Sequence, residues 1–366
     1  MTSERRPAFQ AALLAWFHRH ARAMPFRETR DSYAVWVSEI MLQQTTVAAV
    51  LPYWERFMER FPDVAALAAA PPEDVLHAWA GLGYYSRARN LHAAARRIVE
   101  EHGGAFPTRL PDILALPGIG RYTAGAIASL ALGQDAPVVD ANVARVLSRV
   151  EMIGGDPKSG PTERALWRAA EELLPPGRAR DWNLALFDLG ATICVPVDPK
   201  CPACPVAEWC AAYQAGRQNA FPQVPARAPM APRTDVAAVL RDAVGRFLLV
   251  RRPETGVWAG MWELPRGTLA EGEPPAAGLA RIARDLLGME VTVGEPAAAV
   301  KHAVMRRSIT LRAFFAAPSG PVVERDDLRW VSLEDLAALP MSSPQRKLLA
   351  QLAAARNRAA PPPSGA

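Results

Sequence analysis

The chain has 366 residues, of which 50% are hydrophobic and 22% charged, with a formal net charge of +5. This length suggests two domains, and no run of about 18 apolar residues is present that would span a membrane. The N-terminal residues 1–7 are charged and lack the apolar core of a signal peptide, which predicts an intracellular protein. Residues 1–216 hold 22 basic and 23 acidic side chains, whereas residues 217–366 hold 20 and 14. Because many basic proteins never touch DNA, charge alone does not identify a function.

Apolar residues recur at helical spacing through residues 8–215, with breaks marked by Pro, Gly or Asp. A Pro-rich stretch follows, and the pattern then changes to short β-rich runs, a helix and a further strand. The predicted fold is therefore an all-α lobe over residues 8–216, a linker over 217–233, an α+β lobe over 234–352 and a disordered tail over 353–366. The clearest predicted helices are 34–57, 72–79, 86–101, 122–131, 142–150, 162–174 and 279–287, and the predicted strands are 236–240, 247–250 and 308–316.

All the cysteines of the chain fall between residues 194 and 210. Four thiolates that converge on a small volume suit either tetrahedral Zn²⁺ or a [4Fe–4S] cluster. Zinc sites usually consist of two Cys-x2-Cys pairs about a dozen residues apart, whereas this chain has one such pair flanked by single cysteines. A disulfide framework is a further alternative, although secreted frameworks spread their cysteines along the chain. The residues in question are Cys194, Cys201, Cys204 and Cys210.

A second motif, Leu-Pro-Gly-Ile-Gly, ends at Gly120 and leads into an Ala-rich helix. Two glycines one residue apart, Gly118 and Gly120, predict a tight hairpin between two helices. Such a hairpin directs backbone N–H groups outward at a helix N-terminus, where a DNA phosphate can bind. An ordinary helix connection with a glycine C-cap is the alternative. About twenty residues later, Asp140 lies at the predicted N-terminus of the next helix.

Together these motifs resemble the helix–hairpin–helix DNA glycosylases of the endonuclease III superfamily. Within that superfamily, four segments resemble the MutY family of adenine DNA glycosylases: VWVSEIMLQQT (35–45), GLGYYSRARNL (81–91), DANV (140–143) and DLGATIC (188–194). The resemblance runs from about residue 9 to residue 213 and continues more weakly to about residue 352. It implies an enzyme that removes adenine paired with 8-oxoguanine or guanine in double-stranded DNA and leaves an abasic site. It also implies a [4Fe–4S] cluster on the four cysteines, and a monomer in the cytoplasm, associated with the nucleoid through DNA.

Glu39 and Asp140 are the predicted catalytic carboxylates. Cleavage of an N-glycosidic bond needs a proton for the leaving base and a negative charge near the cationic sugar. The apolar neighbours of Glu39 in its helix should raise its pKa, and the resemblance implies that it protonates N7 of adenine. Asp140 at a helix N-terminus should stay ionised, and the resemblance implies that it stabilises the sugar cation. Taken singly, Glu39 would be a surface glutamate and Asp140 a simple N-cap.

Tyr122 distinguishes two branches of the superfamily. Relatives that also cut the strand carry a lysine at this position, which forms a Schiff base with the sugar. A phenol cannot form an imine, so we predict a monofunctional glycosylase in which Tyr122 orients the acidic groups. The resemblance assigns Asn142 to the attacking water or the sugar. Ala141 replaces the glycine that is usual in this triplet.

Further residues are assigned to DNA by the same resemblance. Gln44 and Thr45 carry groups that can read base edges, and Tyr84 offers an aromatic wedge for the base stack, although core packing is the alternative for Tyr84 and Tyr85. The resemblance implies that Gln44, Thr45, Leu82 and Tyr84 contact the 8-oxoguanine side. It further implies that Arg27 and Asp188 border the adenine pocket.

The C-terminal lobe resembles the Nudix fold, with Gly267, Glu273, Arg281 and Gly288 in register. Ile282 and Leu286 replace two glutamates of the metal-binding run, and one remaining aspartate will not hold Mg²⁺. We therefore predict a degenerate domain that recognises the lesion and does not hydrolyse diphosphates. MutY proteins commonly carry a Phe-Ser-His loop here, whereas this chain reads Val-Met-Arg-Arg-Ser (304–308), so Met305 and Arg306 are the candidate contacts.

Overall fold

The structure is a computed structural model that describes residues 1–226 and 228–359. These residues form two compact units. The first contains Met1–Ala70 and the described chain from Arg89 to residue 226, and the second contains Pro71–Ala88 and the described chain from Ala228 onward. None of the described helices has the length and apolar character that crossing a membrane requires.

Helices follow one another through the first 226 residues and recur in the C-terminal part. In chain order they are α1 (Arg6–His20), α2 (Pro25–Glu28), α3 (Ser32–Leu42), α4 (Val47–Arg60), α5 (Val64–Ala69), α6 (Pro72–Ala78), α7 (Ser86–His102), α8 (Leu110–Leu114), α9 (Arg121–Leu130), α10 (Ala141–Val150), α11 (Gly160–Leu173), α12 (Ala179–Thr192), α13 (Ala211–Gln214), α14 (Pro275–Leu287) and α15 (Ser343–Ala359).

The core of the first unit is built mainly from α1, α10 and α12. Phe9 of α1 and Trp182 of α12 are both almost fully buried, and their rings meet edge to face at 5.7 Å. Helices α10 and α12 approach each other closely at Gly190, where an added Cβ would lie 2.7 Å from the Cβ of Asn142. This close contact fixes the N-terminal turn of α10, which follows Asp140.

Most of the predicted helices are present, but the segment 34–57 is wrong as one helix. It forms α3 and α4, separated at residues 43–46, where Gln44 has a left-handed backbone with φ of 57°. Thr46 then caps α4, because its side chain accepts a hydrogen bond from the Ala49 N–H. The apolar periodicity continues across this break, so it gave no sign of the interruption.

The second unit contains two sheets. Its strands are β1 (Ala231–Val239), β2 (Phe247–Arg251), β3 (Trp262–Glu263), β4 (Arg266–Thr268), β5 (Val291–Val304), β6 (Arg307–Pro318) and β7 (Leu328–Val331). One sheet has the order β4-β1-β6-β5 and the other the order β3-β2-β7. Strands β1 and β6 are parallel, and the remaining named pairs are antiparallel.

Strand β1 is covered on both faces, which explains its nearly continuous apolar sequence. Val236 and Ala238 pack in a cluster that includes residues of α14, whereas Ala237 and Val239 pack in a cluster that includes residues of α15. The predicted strand 236–240 begins earlier than expected, at Ala231. Pro232 is tolerated there because that end of β1 pairs with β6 but lies outside the register with β4.

The domain boundaries expected from the sequence differ from the two units at three places. Phe221, expected in the linker, is buried in the core of the first unit. The segment Pro71–Ala88, expected in the helical lobe, belongs to the second unit, where the Tyr85 hydroxyl donates a hydrogen bond of 3.3 Å to the Met341 carbonyl. Helix α15 continues to Ala359, past the expected start of the tail at residue 353, and residues 360–366 lie outside the described residues.

Candidate active site and DNA-binding elements

A cavity of about 460 Å³ lies within the first unit, among α2, α3, α9, α10 and α12. This volume falls in the range of small-molecule pockets and can hold a nucleobase. The cavity gathers residues from Arg22 to Phe187, which are 165 positions apart in the sequence. Of the residues predicted from the sequence, its wall includes Arg27, Glu39, Gln44, Thr45, Tyr122, Asp140 and Asn142.

Glu39 lies on the buried face of α3 and is 6% exposed. Burial raises the pKa of its carboxyl group to about 7, as expected from its apolar neighbours. The Tyr122 hydroxyl donates a hydrogen bond of 2.6 Å to Oε2 of Glu39 and opposes this rise, while the nearby charge of Asp140 adds to it. A large fraction of the Glu39 carboxyl therefore carries a proton at neutral pH.

Asp140 caps helix α10. Its Oδ1 accepts a hydrogen bond of 2.7 Å from the Val143 N–H, and its Oδ2 accepts one of 3.1 Å from the Asn142 amide. Burial raises the pKa of Asp140, and these hydrogen bonds oppose the rise. The N-cap position was predicted correctly. The sequence did not reveal how deeply Asp140 is buried, and the ionised form that it predicts depends on these hydrogen bonds.

Asn142 is held from both sides of its amide group. Besides its bond to Asp140, its Oδ1 accepts a hydrogen bond of 2.9 Å from Nη2 of Arg145. Arg145 also donates to the carbonyls of Gly190 and Cys194, each at 2.7 Å. A chain of hydrogen bonds thus runs from the cysteine loop to the carboxylate of Asp140 and fixes the direction in which that carboxylate faces.

Arg27 faces the cavity, but its partner Asp188 does not line it. Asp188 is fully buried and accepts two hydrogen bonds of 2.9 Å from the Arg27 guanidinium and one of 2.6 Å from Nε of Arg22. Burial alone would raise the pKa of Asp188, but its bonds to Arg27 and Arg22 hold the pKa below the usual value. Asp188 therefore lies directly behind the pocket wall and supports it by fixing Arg27 and Arg22.

Two arginines of the cavity wall were not predicted from the sequence. Arg22 lies in the loop after α1, and Arg180 lies in the first turn of α12. Arg180 donates to the carbonyls of Leu130, Arg27 and Thr29, and thereby ties the end of α9 to the turn that carries Arg27. Neither residue belongs to a motif or a periodic pattern, so no signal in the sequence would have found them.

The predicted hairpin is formed between α8 and α9. Gly118 has a φ of 75°, and an added Cβ there would lie 2.6 Å from the Cβ of Asn90. Gly120 has an extended backbone and precedes Arg121, the first residue of α9. The hairpin leaves the first N–H groups of α9 without helical carbonyl partners, which is the arrangement that binds a phosphate.

The residues expected to contact DNA from the segment 81–91 divide between surface and core. Tyr84 is 59% exposed and has a left-handed backbone with φ of 47°. Leu82 is buried, and its carbonyl accepts a hydrogen bond from Arg87. Tyr85 is buried as well. Both Leu82 and Tyr84 belong to the second unit and do not line the cavity that contains Glu39.

The four cysteine side chains are free thiols that line one small apolar cavity of the first unit. This finding contradicts the disulfide alternative. Nη1 of Arg149 lies 3.3 Å from Sγ of Cys194 and provides a positive charge beside the thiols. Burial raises the pKa of Cys204 to about 12, so a metal is needed to keep such a buried thiol ionised. Four thiols are the donor set that an enclosed iron–sulfur cluster requires. Among the described residues, however, no group of three or more His, Cys, Asp or Glu side chains is arranged so that it could hold a metal ion.

In the second unit, the remnant of the Nudix pattern has structural contacts. Glu273 accepts hydrogen bonds of 3.0 and 2.8 Å from Arg281. Ile282 is buried and packs against Gly267. A Cβ added to Gly267 would lie 2.7 Å from Cγ1 of Ile282. Met305 is 82% exposed at the tip of the hairpin between β5 and β6, with a φ of 54°. Arg306 is the next residue of this exposed tip.

Comparison with known proteins first defines the class. Residues 37–172 match the family profile of the HhH-GPD superfamily of base excision DNA repair proteins, and residues 236–351 match that of the NUDIX domain. A solved structure of a thermostable thymine-DNA glycosylase is 33% identical, with a TM-score of 0.53 over 58% of this chain and 98% of that chain. The fold and these matches thus define a helical domain of the HhH-GPD superfamily of base excision DNA repair proteins, followed by a Nudix-like domain.

The particular family follows from curated relatives. The adenine DNA glycosylase of Buchnera aphidicola (subsp. Acyrthosiphon pisum) is 35% identical over 259 residues, which cover 70% of this chain and 74% of that protein. The adenine DNA glycosylase of Mus musculus is 40% identical over 317 residues, covering 73% of this chain. The chain belongs to the adenine DNA glycosylase family. It spans 62% of the length of the mouse relative.

Proposed function

We propose that this protein excises adenine that is paired with 8-oxoguanine or guanine in double-stranded DNA and leaves an abasic site. The observation that carries the proposal is the Glu39 carboxyl, whose pKa is raised to about 7 in a cavity large enough to hold a nucleobase. A group that titrates near neutral pH can both hold and donate a proton under working conditions. The family relationship supports adenine as the base.

Glu39 and Asp140 divide the chemistry between them. The Glu39 carboxyl donates its proton to N7 of the bound adenine, so that the glycosidic electron pair can leave with a neutral base. The sugar is left as an oxocarbenium-like cation, which the Asp140 carboxylate stabilises until water adds to the anomeric carbon and loses a proton. General acid catalysis of this kind contributes about 10²–10⁴-fold to the rate. Tyr122 fixes the Glu39 carboxyl through its hydrogen bond of 2.6 Å.

The reaction stops at the abasic site because the pocket offers no amine nucleophile. Tyr122 occupies the hairpin position where an amine would attack, and burial raises its pKa, so that it remains a neutral phenol. Lys158 and Lys200, the lysines of the first unit, do not line the cavity. The cavity wall therefore supplies no amine that could form a Schiff base with the sugar, and strand cleavage should require added alkali.

The DNA-binding elements are assigned by their exposure and by their backbone geometry. The N-terminus of α9, after Gly118 and Gly120, would bind a phosphate of the backbone. Gln44 and Thr45 lie on the cavity wall at the break between α3 and α4, where their side chains can meet base edges. The exposed ring of Tyr84 is suited to insert into the base stack. On the 8-oxoguanine side, Met305 and Arg306 would supply an apolar contact and a donor to the base or its phosphate. A protein with this function works on chromosomal DNA, which agrees with the expected association with the nucleoid.

We further propose that the four cysteines hold a structural [4Fe–4S] cluster. Four thiols around one cavity, with Cys210 buried and the other three half-buried, and with Arg149 beside them, support this assignment. Each thiolate would bind one iron, so no ligand position would remain open for substrate. Purified protein should be yellow-brown and contain about four irons per chain. One zinc and no iron in protein prepared without oxygen would contradict the cluster.

The direct test of the function uses labelled duplexes that differ in the partner of one adenine. We expect adenine release from duplexes with A opposite 8-oxoguanine or guanine and none from an A:T pair. The labelled strand should break after alkali and stay intact without it. Borohydride should trap little covalent adduct. Scission without alkali together with strong trapping would contradict a monofunctional enzyme, and release of another base would contradict the assignment of adenine.

A further inference from the structure

An exposed ion pair lies beside the hairpin between α8 and α9. Arg121, the first residue of α9, donates a hydrogen bond of 2.6 Å from Nη2 to Oε1 of Glu171 on α11. Its guanidinium also lies 3.9 Å from the centre of the Trp167 ring, one helical turn before Glu171. Trp167 is buried, whereas the charged side chains of Arg121 and Glu171 are 54% and 52% exposed. The pair is therefore held by a buried ring and remains open to an anion from solvent.

Both charges of this pair lie at the unfavourable end of their own helix. A helix carries a partial positive charge at its N-terminus and a partial negative charge at its C-terminus. Arg121 places a cation at the N-terminus of α9, and Glu171 places an anion in the last turn of α11, which ends at Leu173. Neither helix is stabilised by its own charge. The two charges instead compensate each other between the helices.

A phosphate bound at the hairpin would lie next to Arg121. The free N–H groups of the first turn of α9 begin at Arg121 itself, after the extended backbone of Gly120. Anions bind to such N–H groups, and a neighbouring guanidinium adds charge-assisted hydrogen bonds to phosphate oxygens. The guanidinium that could serve this anion already binds a carboxylate. In the free protein, Glu171 thus takes the place on Arg121 that a phosphate oxygen would take.

The exchange of one anion for the other is easy at this position. An ion pair between exposed side chains contributes little to stability, because water and salt screen it. The Trp167 ring contacts the guanidinium on its other side, and a cation over an aromatic face is stabilised there. Arg121 can therefore release Glu171 and stay on the ring. The released carboxylate remains close to the incoming phosphate, and the repulsion between them lowers the affinity for DNA.

We propose that Glu171 competes with a DNA phosphate for Arg121 and thereby weakens the binding of DNA of any sequence. The inference rests on the proposed DNA-binding role of the hairpin, but Glu171 lies outside both the hairpin and the adenine cavity. Contacts to phosphate position a protein on DNA and carry no direct information on the bases. A carboxylate that limits such a contact shortens the time spent on undamaged DNA.

The test measures binding of the full-length protein to a labelled duplex that contains only normal base pairs, over a series of salt concentrations. We compare the wild type with Glu171→Gln, Glu172→Gln, Arg121→Gln and the double variant Arg121→Gln/Glu171→Gln. Glu172 is the matched control, because it is the exposed neighbour of Glu171 and its replacement changes the net charge equally. Circular dichroism checks that each variant is folded. Adenine release from a duplex with A opposite 8-oxoguanine is measured on the same samples.

We expect Glu171→Gln to bind the duplex about two- to fivefold more tightly than the wild type, with Glu172→Gln nearly unchanged. The slope of log K against log salt should become steeper by up to about 0.9, the value for one further phosphate contact. Arg121→Gln should bind more weakly than the wild type. In the double variant, the gain from Glu171→Gln should fall to that of the Glu172→Gln control.

The proposal is overturned if Glu171→Gln binds no more tightly than Glu172→Gln, or if its gain persists when Arg121 is replaced. Adenine release by the wild type together with either of these results would contradict this inference alone. Wild-type protein that shows the expected binding changes but releases no adenine would contradict the proposed function alone. Wild-type protein that binds neither duplex would overturn both.

Discussion

At the scale of single residues, the chemistry depends on a balance of forces at Glu39. Burial and the charge of Asp140 favour the protonated carboxyl, whereas the hydrogen bond from Tyr122 and the positive charge of Arg27 favour the carboxylate. The result is a pKa of about 7, well above the ordinary glutamate value of 4.5. This balance allows the side chain to be a proton donor that can be loaded again from water near neutral pH.

Replacing Tyr122 by phenylalanine should change the pH dependence of the reaction. The phenol stabilises the Glu39 carboxylate, so its removal should raise the pKa of Glu39 further. Adenine release needs the protonated acid and falls as pH rises through this pKa. In Tyr122→Phe, the alkaline limb of the single-turnover pH–rate profile should therefore move to higher pH. Tyr53→Phe, a tyrosine outside the cavity, is the control, and an unshifted limb in Tyr122→Phe would contradict the coupling.

The raised pKa of Glu39 should also make the folded protein less stable as the pH rises. Its pKa is about 7 in the folded protein, above the ordinary glutamate value of 4.5, so the folded state holds the proton more tightly than the unfolded state. The free energy of unfolding should fall as pH rises from about 4.5 to about 7, by about 3 kcal/mol in total. Glu39→Gln does not titrate, so its stability relative to the wild type should increase across this window. Urea unfolding at pH 5 and pH 8 measures the effect, with exposed Glu59→Gln as the control. Equal differences at both pH values would refute the raised pKa.

At the scale of elements, the turns and caps were predictable where one residue type carries the signal. Asp140 as an N-cap and the glycine hairpin before α9 follow from residue types with known backbone preferences. The break at residues 43–46 was not predictable, because the apolar periodicity continues through it. The hydrogen bonds from Arg145 to the carbonyls of Gly190 and Cys194 were not predictable either, because these residues lie 45 and 49 positions away in the sequence.

The two glycines of the hairpin should respond differently to alanine. At Gly118 a Cβ would clash with Asn90 at 2.6 Å on a backbone with φ of 75°, whereas Gly120 has open space around it and an extended backbone. Gly118→Ala should lower the free energy of unfolding by about 1–3 kcal/mol and weaken DNA binding. Gly120→Ala should change stability by less than about 0.5 kcal/mol. Denaturant unfolding and fluorescence anisotropy with a labelled duplex measure both effects, and similar losses in the two variants would contradict the geometry.

At the scale of the whole molecule, the sequence predicted a helical lobe followed by an α+β lobe but not the membership of Pro71–Ala88. Local patterns identify α6 as a helix, but they contain no information on which core it joins. The contact of the Tyr85 hydroxyl with Met341 links residues more than 250 positions apart. Deletion of the chain after residue 226 would therefore remove the partners of a segment that carries Tyr84.

Point variants are for this reason better probes of lesion recognition than truncation. Arg306 is exposed at the hairpin tip, so Arg306→Ala should leave the fold intact. Loss of one hydrogen bond to a charged donor costs about 1.5–3 kcal/mol. We expect Arg306→Ala to reduce the preference for A opposite 8-oxoguanine over A opposite guanine, measured as the ratio of single-turnover rates. An unchanged ratio would show that Arg306 does not take part in reading the lesion.

The central claim is that the buried Glu39 carboxyl supplies the proton that releases adenine. Single-turnover release from a duplex with A opposite 8-oxoguanine, measured for the wild type and Glu39→Gln with binding to the same duplex, tests it most directly. Glutamine keeps the shape of the side chain and cannot donate the proton. We predict that Glu39→Gln binds the duplex normally and releases adenine at least about 10²–10⁴-fold more slowly. Release by Glu39→Gln at a rate near that of the wild type would contradict the account.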